Sequence, residues 1–96
     1  MRLRYTPEAL IELEATLDYI TAQSPHGARR IQQRIKDLTE LLCSHPFAGQ
    51  ATEEPGLRRL FATPYPYALY YQLSPEDVVI VAVRHTARDA ASDAER

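Results

Sequence analysis

Thr6-Pro7 and Ser24-Pro25 each open a run in which apolar residues recur every three or four positions. After Thr6 these are Leu10, Leu13, Leu17 and Ile20; after Ser24 they are Ala28, Ile31, Ile35, Leu38 and Leu42. Thr and Ser accept hydrogen bonds from the first amides of a helix, Pro fits the first helical position, and Glu8 suits the positive end of the helix dipole. The spacing predicts a first helix over about 7–22 and a second that ends at His45-Pro46. With about three residues between them, the two form an antiparallel hairpin. Each has one apolar stripe, so the rest of the chain must supply the surface that covers them.

That surface reads as strands. Residues 2–6 alternate, with Leu3 and Tyr5 on one side, and Thr6-Pro7 stops the run. Residues 45–56, HPFAGQATEEPG, read as a loop. LRRLFAT (57–63) and YALYYQL (67–73) are rich in β-formers, and SPED (74–77) is a turn. VVIVAVRH (78–85) is almost wholly apolar, which predicts an inner strand covered on both faces. The expected fold class is α+β, in the order β-α-α-β-β-β. The helical hairpin packs on one face of a small, mainly antiparallel sheet, and the other face stays open to a partner. The expectation is one domain over 1–89, with 90–96 a flexible tail.

Four tyrosines fall within YPYALYY, Tyr65 to Tyr71. Alternation puts Tyr67, Leu69, Tyr71 and Leu73 on one face and Ala68, Tyr70 and Gln72 on the other. The first set reads as core, with hydroxyls reaching the sheet margin for partners. Tyr70 alone projects onto the open face. Stacking of nucleic-acid bases needs aromatic and basic residues together on one exposed face, and this strand's open side carries no charge.

The chain has 96 residues and a net charge of -2, which does not suit a nonspecific nucleic-acid binder. Its charges are segregated. Glu8, Glu12, Glu14 and Asp18 share a stretch with no base, while Arg58, Arg59, Arg84 and Arg88 lie in the second half. Cys43 is alone and reads as buried; His26, His45 and His85 are scattered, so no metal site and no cofactor are expected. No segment approaches roughly 18 apolar residues and the start lacks the apolar core of a leader, so the expected compartment is the cytoplasm.

The ordered set TPEALIELEATLDYI, SPHGARR, HPFAGQ, PGLRRL, YPYALYY and VRHTARD resembles the RelE/ParE superfamily of toxins from type II toxin–antitoxin operons. The resemblance covers about residues 3–89 and is nearest to the ParE-like branch. Arg58 and Leu60, the Tyr65 to Tyr71 segment, and His85, Arg88 and Asp89 match that branch's motifs. RelE-like members cut messenger RNA on the ribosome, and ParE-like members poison DNA gyrase. RNA cleavage needs a base, an acid and a cation at the scissile phosphate. The lysines that RelE-like members use are absent here: the single lysine is Lys36, on a helix. Ala68 stands where those members carry arginine, and no tyrosine follows Tyr71.

The resemblance therefore implies a toxin that inhibits DNA gyrase by protein contact, with no catalytic residues. Candidate target contacts are Arg58, Arg59, Arg84, His85 and Arg88. It also implies a ParD-like antitoxin, for which Arg29, Arg30, Arg34 and Tyr70 are candidate contacts. Neither a membrane nor sequence-specific nucleic-acid binding by the toxin alone is expected. The rival is a ribosome-dependent endoribonuclease using His85 with Arg84 and Arg88. A third reading is an inactive member that only binds its antitoxin.

Overall fold

The computed structural model describes residues 1–87. Its elements are β1 (Arg2–Tyr5), α1 (Pro7–Gln23), α2 (Pro25–Ser44), β2 (Gln50–Ala51), β3 (Arg58–Phe61), β4 (Tyr67–Leu73) and β5 (Asp77–His85). The expected tail at 90–96 lies outside the described residues.

Both helix starts form as the sequence predicts. The Thr6 hydroxyl accepts the Ala9 amide at 3.1 Å, and the Ser24 hydroxyl accepts the Gly27 amide at 3.0 Å. The hairpin is tighter than the three residues expected. Ser24 alone separates the helices, because its extended backbone lets it end one helix and begin the next. Its amide donates to the Ile20 carbonyl at 2.7 Å while its side chain caps α2.

The strands form one five-stranded sheet in the order β1-β5-β4-β3-β2. β1 runs parallel to β5, and the other neighbours are antiparallel. β2 lies inside the stretch that reads as a loop. Its two residues pair with Arg58 and Arg59, so it owes its existence to β3 rather than to local propensity. Between β4 and β5 the register slips: Tyr70 pairs with Ala82 and Tyr71 with Ile80, leaving Val81 as the extra residue of a bulge.

The helices cover one face of the sheet. Ile31, Ile35, Leu38 and Leu42 of α2 cluster with Tyr67, Leu69, Tyr71, Val78, Ile80 and Val83. Full burial of each such Leu or Ile contributes about 1.5–3 kcal/mol before cavity effects. β5 does not have both faces covered as its composition suggests. Val78, Ile80 and Val83 are buried, while Val79 and Val81 are half-buried. Its apolar run reflects its place between β1 and β4, not a second covering layer. Cys43 is also only half-buried. No helix among the described residues is long and apolar enough to cross a membrane.

Candidate functional site

Adjacent residues of a strand point to opposite faces, so Arg58 and Arg59 part company on β3. Arg58 pairs across the sheet with Tyr71, and Arg59 with Tyr70. Tyr71 is wholly buried on the helix-covered face. Its hydroxyl donates to the Pro46 carbonyl at 2.8 Å and accepts the Gly49 amide at 3.0 Å. Arg58 Nη2 donates to the Gly49 carbonyl at 2.6 Å and to the Phe47 carbonyl at 3.3 Å, and its guanidinium lies 5.1 Å from the Phe47 ring centre. A Cβ at Gly49 would sit 2.7 Å from both the Arg59 carbonyl and the Tyr71 hydroxyl, so only glycine fits there. Arg58 thus fastens the loop after α2 to the sheet. The pairing of a buried phenol with loop backbone also satisfies groups that burial would otherwise leave unbonded.

Arg59 faces the other way. Its guanidinium lies 4.8 Å from the Phe61 ring centre and 6.0 Å from that of Tyr70, within cation–π range of both. Register sets Phe61, Ala68 and Arg84 in one row across the open face, and Arg59, Tyr70 and Ala82 in the next. Ala68 and Ala82 are buried yet stand outside the helix-side core cluster. The face therefore has a floor of small side chains between an arginine-aromatic group on one side and Arg84 on the other. β4's own open side carries no charge, as the sequence predicts; its neighbours supply the cations.

Arg84 is paired. Its Nε lies 3.3 Å from Glu12 Oε2, and Glu12 Oε1 accepts the Val83 amide at 3.1 Å. His85 points away from Arg84, toward Tyr67, its partner in register. The two rings meet edge to face at 5.3 Å and 87°. His85 Nδ1 accepts the Ala87 amide at 3.2 Å, which suits the neutral ring protonated at Nε2. Of the trio of the nuclease reading, Arg84 and His85 lie on opposite faces, and Arg88, with Asp89, lies outside the described residues. Among the described residues no group of three or more His, Cys, Asp or Glu is placed to hold a metal ion.

The candidate antitoxin contacts also separate. Arg29 and Arg30 are exposed on α2. Arg34 is half-buried, and its Nε donates to the Thr63 carbonyl at 3.0 Å. Tyr70 lies on the sheet face away from the helices. Sequence reasoning missed Phe61 and Glu12. Phe61 had a readable signal, since Arg59 and Phe61 stand two apart in a strand. Glu12 had none, because its partners are more than seventy positions away.

A family model described as "ParE toxin of type II toxin-antitoxin system, parDE" matches residues 3–90. Toxin RelE2 of Caulobacter vibrioides is 37% identical over 84 residues, covering 88% of this chain and 93% of the relative. Putative toxin Y4kP of Sinorhizobium fredii is 32% identical over 84 residues, covering 88% and 86%. Among solved structures, the chromosomal ParDE system from P. aeruginosa aligns with a TM-score of 0.76 at 24% identity, over 88% of this chain and 95% of that one. The E. coli DinJ-YafQ complex aligns with a TM-score of 0.61 at 16% identity, over 92% and 97%. At these identities the structural matches establish the shared fold, while the family model and the two relatives span nearly the whole length of the chain: the protein belongs to the ParE toxin family of type II toxin–antitoxin systems.

Proposed function

We propose that this toxin acts in the cytoplasm on DNA gyrase, by surface contact rather than by chemistry, and that a ParD-like antitoxin neutralises it. The observation that supports contact is the division of labour on β5. His85, the histidine of β5, packs on Tyr67 with Nδ1 bonded to backbone. Arg84 turns to the other face and binds Glu12. The open face instead presents Arg59, Phe61 and Tyr70 as a group, the side-chain types that anchor protein interfaces. The antitoxin's extended segment runs along the helical hairpin and sheet margin. Such segments gain affinity from apolar anchors seated in grooves.

The test is a supercoiling and DNA-cleavage assay with purified toxin and gyrase. Cleaved DNA that accumulates with wild-type toxin, falls when antitoxin is added, and is lost in Arg59→Ala and Phe61→Ala is the expected result. Folded, antitoxin-free toxin that leaves gyrase untouched but cuts ribosome-bound messenger RNA in a His85-dependent way would replace this reading with the nuclease. Expression that leaves growth unchanged, with antitoxin still bound, would point to the inactive member.

A further inference from the structure

α1 has an outer face that the fold does not use. Ile11 is 67% exposed and Tyr19 64%, high values for large apolar side chains on a well-formed helix. With the exposed Ala15 they form a line at i, i+4 and i+8 that spans about 12 Å. On the helical wheel Glu14 and Asp18 flank this line on one side, and Glu8 and Glu12 on the other. α1 contains no Lys, Arg or His. Glu12 is bonded to Arg84, but no ion pair among the described residues uses Glu8, Glu14 or Asp18.

An apolar line between two acidic rows, in which only Glu12 has a cationic partner among the described residues, is complementary to one kind of partner. It must present apolar side chains two helical turns apart with lysine or arginine beside them. A second copy of α1 fails this requirement, since it would set carboxylate against carboxylate. Resting on the reading of an antitoxin as the neutralising partner, we infer that the outer face of α1 anchors a basic, amphipathic segment of that antitoxin through Ile11 and Tyr19. The anchoring falls to α1 rather than to the arginines of α2, and the bound segment is basic where it crosses α1.

Binding of purified cognate antitoxin to full-length toxin tests this. The variants are Ile11→Ser, Tyr19→Ser, the pair Glu14→Lys/Asp18→Lys and the control Arg29→Glu/Arg30→Glu, each checked for an unchanged thermal melt. The expected result is a loss of about tenfold or more in affinity for each apolar variant, in line with anchor residues elsewhere. The Glu14/Asp18 pair should weaken binding and flatten its salt dependence, and the control should bind within about twofold of wild type. Wild-type affinity in the apolar variants, or a loss confined to the α2 control, overturns the inference while leaving the antitoxin reading intact. Failure of the wild type to bind antitoxin overturns both. A wild-type dimer that Ile11→Ser and Tyr19→Ser dissolve would give the face to a second copy and overturn it as well.

Discussion

Thr6 and Ser24 begin α1 and α2 with the same hydrogen bond, from the amide three residues on to a hydroxyl, yet the helices settle at different depths. α2 buries Ala28, Ile31, Ile35, Leu38, Thr39 and Leu42; α1 buries only Ala9. Leu13, Leu17 and Ile20 of α1 reach the core but stay partly exposed. The cause is position. α2 lies over the sheet, whereas α1 lies at its margin, where Glu12 meets the side of β5. An apolar stripe in sequence therefore reports which way a helix faces, not how deeply it sits. The shallower helix keeps surface for other uses.

The largest test of that contrast is in the core. Leu42→Ala should cost about 2–5 kcal/mol in urea unfolding, because Leu42 is wholly buried and leaves a cavity. Leu10→Ala on α1, where Leu10 is 44% exposed, should cost less than about 1 kcal/mol. Similar costs at the two sites would mean that α1 packs as deeply as α2.

The caps come next. Thr6→Ala and Ser24→Ala should each cost about 1 kcal/mol, since the same bond is lost at each. A negligible cost at Thr6 alone would show that the first turn of α1 is frayed in solution. A smaller effect separates two arginines on α2. Arg34→Ala removes the bond to the Thr63 carbonyl and should cost about 0.5–1.5 kcal/mol. Exposed Arg30→Ala should stay within about 0.5 kcal/mol of wild type. The smallest effect belongs to the outer face of α1: Ile11→Ser and Tyr19→Ser should change stability by about 0.5 kcal/mol or less. A larger loss there would mean that these side chains serve the fold and not a partner.

Both helices and four of the five strands were legible because their signals are local. Thr-Pro and Ser-Pro mark starts, Gly56 and Pro64 bracket β3, and the alternation in Tyr67–Leu73 assigns each side chain to a face. β2 was not legible, since Gln50 and Ala51 become a strand only when β3 lies beside them. The bulge at Val81 depends on cross-strand register, which no run of residues states. The same gap hid the arginine-aromatic group: Arg59, Phe61 and Tyr70 meet only once β3 and β4 are in register. Nor does any local signal show that Arg58, a candidate target contact in the sequence, also binds the Gly49 and Phe47 carbonyls.

β1 pairs with β5 only as far as Ile80, yet β5 continues to His85. A bare strand margin of that kind is where proteins add one another's chains and aggregate. Glu12 occupies it, with one carboxylate oxygen on the Val83 amide and the other beside Arg84. The helix that gives least to the core thus guards the sheet against misassembly. At the opposite margin, β2 offers an incoming strand only two residues to pair with. Removing that single carboxylate would bare the Val83 amide to an incoming strand.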